Sequence, residues 1–149
     1  MSIYKKILVA VDLSEDAKCL LQRASEFAEK FTAELTLIHV VQPLVVDVGY
    51  DLAASIPQDI DLSLVDRAEK FLTFLKADVA RQDVACFVKV GSIKGEILTL
   101  AKEQQADLII IGTHGRHGVA LLLGSNAGAV LHGTPCDVLA VRVGMEAHS

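Results

Sequence analysis

The stretch Lys6-Ile7-Leu8-Val9-Ala10-Val11-Asp12-Leu13-Ser14 carries five apolar residues in a row and then stops at a carboxylate and a hydroxyl. A strand with one wet face alternates apolar and polar positions. An unbroken run of this length belongs to a strand covered on both faces, as in the middle of a parallel sheet. Asp12-Leu13-Ser14 then turns the chain, and Ser14 reads as a helix N-cap with Glu15 and Asp16 in the first turn. Ala17, Leu20, Leu21, Ala24, Phe27, Ala28 and Phe31 follow at helical spacing and make one apolar stripe.

The same alternation of short run and helical stripe repeats outward from there. Leu35 to Val41 reads as a second strand, and Val84 to Val90 as a third, closed by Gly91-Ser92. Between them a helix is expected from Leu62 to Ala80, with Val65, Ala68, Leu72, Leu75 and Val79 inward. Ile93 to Gln104 reads as a helix with Ile97, Leu98 and Ala101 buried, and Leu108 to Ile111 as a fourth strand. A glycine-rich segment leads to a helix over 125–132, stopped by Gly133-Thr134-Pro135, and Val138 to Val141 is the last strand. Residues 42–57, with Pro43, Gly49 and Pro57, break the rhythm and read as an irregular loop packed on the body. Strands alternating with helices build βαβ units, and right-handed crossovers place the helices on both faces of one open parallel sheet. The fold class is therefore α/β and Rossmann-like. Residues 1–149 read as one domain, and strand order is not contained in the pattern.

Composition agrees with an aliphatic core: 52% of the 149 residues are hydrophobic, and there is no Trp. A net charge of -5 without a cluster of Lys and Arg argues against a nucleic-acid partner, whose phosphates call for clustered cations. Cys19, Cys86 and Cys136 are odd in number and far apart, which suits neither a disulfide framework nor a zinc site. Cys86 and Cys136 fall in expected strands and are expected to be small buried hydrophobes. The apolar run behind Lys5 and Lys6 is too short for a signal peptide, and no stretch reaches the ~20 apolar residues of a bilayer crossing. The expectation is a cytoplasmic chain with no membrane partner.

Parallel open sheets bind ligands outside the carboxyl ends of their strands. Two segments stand at such ends: Asp12-Leu13-Ser14, and Gly112-Thr113-His114-Gly115-Arg116-His117-Gly118 running on to Gly124-Ser125-Asn126. Glycine lets the backbone approach a phosphate, and successive N–H groups in a turn or at a helix start favour an anion. Arg116 adds a positive charge and Ser125 a hydroxyl. The plainer reading of the same residues is a loop with Ser125 as an N-cap. No Gly-x-x-x-x-Gly-Lys-Ser/Thr, Gly-x-Gly-x-x-Gly or Gly-x-Ser-x-Gly motif is present.

These residues resemble the universal stress protein family. The resemblance lies in Lys6 to Ser14, in Leu37-Ile38-His39-Val40, in Ala106 to Gly115, and in Gly124-Ser125 with Pro135 to Val141. It implies a five-stranded parallel sheet in the order 3-2-1-4-5, which would set Asp12 and the glycine loop in one crevice. It also implies ATP, with Mg²⁺, as the ligand. Gly112, Gly115, Gly124 and Ser125 would hold the phosphates, Asp12 would face the ribose or a metal, and Ala10, Val11 and Val40 would border the adenine. ATP-binding members carry Gly-x-x-Gly, nine residues, then Gly-Ser/Thr, whereas residues 116–123 here number eight. One residue fewer moves an N–H by about 3 Å, and the shorter spacing resembles the branch that holds no ATP.

Other chemistry is thinly represented. His114 and His117 share a loop without a third ligand at metal spacing, and His39 reads as a satisfied core histidine. Asp107 stands at the opposite end of the sheet from Asp12, so the two carboxylates form no acid–base pair. No nucleophile has a neighbouring base, so any ATP hydrolysis is expected to be slow. Three functions are compatible: a nucleotide-binding regulator, a dimeric protein acting through protein contacts without a ligand, and, last, an adenine-nucleotide α-hydrolase. The Ser-Gly-Gly-x-Asp-Ser loop of the hydrolases is missing at Asp12-Leu13-Ser14. The apolar edge Val138-Leu139-Ala140-Val141 invites association, and the resemblance implies a homodimer through it.

Overall fold

Eight elements follow in chain order: β1 (Lys6–Ala10), α1 (Asp16–Phe31), β2 (Glu34–Val41), α2 (Gln58–Asp78), β3 (Ala85–Val90), α3 (Ile93–Glu103), β4 (Leu108–Gly112) and β5 (Asp137–Val141). They belong to a computed structural model that describes residues 3–42, 58–79, 83–112 and 133–143. All but Gln42 of the loop expected over 42–57, and the whole helix expected over 125–132, lie outside those residues. The strands form one parallel sheet in the order β3-β2-β1-β4-β5, the order the resemblance implies.

Burial follows position in the sheet. All five residues of the inner strand β4 are buried, and so are the four of β1 after Lys6. Ile7, Val9 and Val11 join Leu20, Leu21 and Ala24 of α1 and Leu72 and Leu75 of α2 in one core. Leu8, Ala10, Ile38 and Val40 join Ile93, Ile97, Leu100 and Ala101 of α3 in another. Successive residues of β1 thus serve opposite faces, which is why its sequence is an unbroken apolar run.

The edge strands are less covered, and two expectations fail there. Cys86, expected to be buried, is exposed on β3, an edge strand with no residue fully buried. Cys136 lies just before β5, not within it, and is half-buried. Helix α2 starts at Gln58, four residues before the expected Leu62. In α3, Leu100 takes the buried place expected for Leu98, which is half-buried.

The amino end of the sheet is closed by polar contacts. Asp107 Oδ2 accepts from the N–H groups of Lys5 at 2.8 Å and Lys6 at 3.0 Å. The Tyr4 hydroxyl donates to Asp137 Oδ2 at 2.9 Å, and the Tyr4 ring stands edge-on to Phe31 with centroids 5.2 Å apart.

Candidate functional site

The sheet order reverses between β1 and β4. Strands β2 and β3 extend to one side of β1, while β4 and β5 extend to the other. A ligand crevice in an open α/β sheet opens at such a reversal, outside the carboxyl ends. The β1–β4 register pairs Ile7 with Leu108 and Val9 with Ile110; carried two residues further, it sets Val11 beside Gly112. A small cleft opens there, lined by Ala10, Asp12, Asp16, Ala17, Leu20, Gly112 and Val143. Ala10, Ala17 and Gly112 bring little side chain, so the cleft runs close to the backbone of both strands.

Asp12 is one of two carboxylates in this cleft. Its Oδ1 accepts from the Ser14 N–H at 3.2 Å and from the Ser14 hydroxyl. An aspartate that bonds the N–H two residues on makes a local turn that competes with a helix cap. The expectation for Ser14 is corrected accordingly. Glu15 occupies the N-cap position of α1 without a side-chain capping bond, and the Ser14 hydroxyl serves Asp12 instead. Asp16, in the first turn of α1, adds a second carboxylate to the cleft wall. Two carboxylates repel a phosphate and suit a hydroxyl donor or a cation.

His39 stands behind that turn. It is 7% exposed, and its Nδ1 lies 2.8 Å from the Val11 carbonyl oxygen. A carbonyl only accepts, so Nδ1 carries the proton. Burial holds the imidazole pKa below its ordinary value, against the opposing pull of the Val11 carbonyl and the Asp12 carboxylate. The sequence reading of a satisfied core histidine is correct. Its partner, 28 residues away and next to Asp12, is what that reading missed.

Of the residues expected to bind, the structure brings Ala10, Val11, Asp12 and Gly112 together. Val40 lies on β2 at the same end of the sheet, and Ala10, Val11 and Val40 are all fully covered. Gly115, Arg116, Gly124, Ser125 and Asn126 lie outside the described residues, as do His114 and His117. Among the described residues no group of three His, Cys, Asp or Glu could hold a metal ion. Mg²⁺ is ordinarily held by one or two carboxylates together with substrate phosphates, and Asp12 suits that share of the task. Among the described residues no helix is long and apolar enough to cross a membrane.

Comparison with known proteins gives the family. A model of the universal stress protein family matches residues 3–142. Universal stress protein A homolog 2 of Coxiella burnetii is 43% identical over 145 residues, covering 96% of this chain and 98% of its own. Universal stress protein A homolog 1 of the same organism is 38% identical, covering 93% and 96%. Among solved structures, a hypothetical protein whose biochemical function was assigned from its structure, MJ0577, superposes with a TM-score of 0.70 at 28% identity, over 94% of this chain and 96% of its own. Two further structures share the fold. A universal stress protein in complex with cAMP has a TM-score of 0.59 at 24% identity, covering 93% and 96%. One from Archaeoglobus fulgidus in complex with dAMP has a TM-score of 0.59 at 21% identity, covering 95% and 99%. The chain described here belongs to the universal stress protein family.

Proposed function

We propose that the protein binds an adenine nucleotide, ATP by the resemblance, at the carboxyl ends of β1 and β4, and acts as a cytoplasmic regulator in the stress response. The observation that carries this is the meeting of Asp12 with Gly112 at the reversal of strand order, in a cleft that Ala10, Ala17 and Gly112 leave close to the backbone. Asp12 would receive the ribose hydroxyls or share a Mg²⁺ with the phosphates. The phosphates themselves would go to the glycine loop, to Gly112, Gly115, Gly124 and Ser125, with Arg116 and Asn126 contributing. That two proteins of this fold are known with cAMP and dAMP bound supports the class of ligand. Assembly as a homodimer through Val138 to Val141 belongs to the same reading, and β5 does stand at an edge of the sheet with Ala140 exposed.

The eight-residue spacing of 116–123 favours a second reading, a dimer that acts through protein contacts and holds no nucleotide. Denaturing freshly purified protein and identifying released nucleotide by chromatography with mass detection separates the two. Stoichiometric ATP, lost when Gly115 or Gly124 is replaced by a bulky residue, supports the nucleotide reading. None released, with none bound on addition of ATP and Mg²⁺, leaves the second.

A further inference from the structure

We infer that His39 is the positioning residue of the crevice: its imidazole fixes the peptide leading into Asp12 and so sets where that carboxylate stands. The part of this that concerns a ligand rests on the nucleotide reading above; the clamp itself does not. Among the described residues His39 is the one buried polar side chain, while the rest of the buried set is apolar. An imidazole in an aliphatic sheet is unfavourable unless its N–H is paired, and a Val or Leu would fill a strand position without that demand. What His39 adds over an aliphatic residue is a donor.

That donor meets the end of β1. The β1–β2 ladder runs as far as Ala10 opposite Ile38. One residue on, the Val11 N–H donates to the Ile38 carbonyl at 3.0 Å, and the Val11 carbonyl accepts from His39 Nδ1 at 2.8 Å. Both groups of Val11 are therefore tied to β2, one by backbone and one by side chain. Asp12 is the next residue, and its turn closes forward onto Ser14. Remove the imidazole N–H and the peptide between Val11 and Asp12 loses an anchor, leaving it free to rotate and carry the carboxylate with it.

The test uses His39→Leu, which fills the site without a donor, and His39→Asn, whose Nδ2 takes the place of Nδ1. Amide hydrogen exchange at Ser14 is followed in the ligand-free protein, with Ile110 in β4 as a remote reference, and ATP affinity is measured by calorimetry. Loss of one buried hydrogen bond predicts about tenfold faster Ser14 exchange and about tenfold weaker ATP binding in His39→Leu. Ile110 should be unchanged, and both effects should be reversed in His39→Asn. A Ser14 amide as protected in His39→Leu as in the wild type, or an Asn that restores nothing, overturns the inference. If the wild type binds no ATP, the nucleotide reading is lost. The exchange comparison then decides the clamp alone: loosening by Leu with rescue by Asn upholds it, and no change overturns it. Should His39→Leu fail to fold, the imidazole ¹⁵N spectrum of the wild type decides: a proton on Nδ1 is expected, and a proton on Nε2 alone contradicts the clamp.

Discussion

Two aspartates stand at opposite ends of adjacent strands, and their surroundings divide the molecule into a closed end and an open one. Asp107, before β4, accepts from the backbone N–H groups of Lys5 and Lys6 and so joins the starts of two strands. Asp12, after β1, accepts from its own turn and faces a cleft beside Gly112. A carboxylate occupied by a neighbouring strand's backbone serves the fold. One held by its own turn, beside the reversal of strand order, is left facing the crevice, where the proposal above gives it a ligand to meet.

The contrast breaks most visibly if Asp107 proves dispensable. Asp107→Ala removes two exposed bonds that join the starts of β1 and β4 and should destabilise the protein by about 1–2 kcal/mol in all. A drop of several degrees in thermal midpoint follows, with ATP binding kept. A smaller effect sharpens the comparison through pH. His39 is held neutral by burial, so as pH falls through about 6.5 the unfolded chain takes up its proton first, and stability falls with it. Urea midpoints measured from pH 7.5 to 5 should show this loss, and His39→Asn should flatten it.

Tyr4→Phe tests the closed end more gently. The lost bond to Asp137 is exposed and contributes no more than about 1 kcal/mol, while the ring's edge-on contact with Phe31 remains. The least costly probe is chemical. Burial first, then the Asp137 and Asp107 carboxylates, push the Cys136 thiol up to about 11. Its alkylation at pH 8.5 should be slow in the folded protein and quicken in urea. The sign is opposite to that of His39: the unfolded thiol ionises first as pH rises, so this end loses stability toward alkaline pH.

The inner strands were legible because burial on both faces leaves no polar position in Ile7 to Val11 or Leu108 to Ile111. Edge strands carry a weaker signal, and Cys86 shows it: an apolar run does not say which of its faces is covered. Strand order came from the resemblance, since pairing between residues a hundred positions apart leaves no periodic mark. Ser14 misled because a serine before an acidic turn reads the same whether it caps the helix or is captured by Asp12. The clamp was hidden for a similar reason: His39 reads as a core residue until Val11 is seen beside it.

The most direct measurement is the ATP-induced shift in thermal midpoint of the wild type, Asp12→Asn and Asp107→Ala, with Mg²⁺ present. At ~100 times its Kd a ligand stabilises by about 2.7 kcal/mol, a rise of roughly 5–10 °C for a chain of this size. The account predicts that rise in the wild type and in Asp107→Ala, and its loss for the most part in Asp12→Asn. No rise in the wild type, or a rise that survives in Asp12→Asn and vanishes in Asp107→Ala, would contradict it.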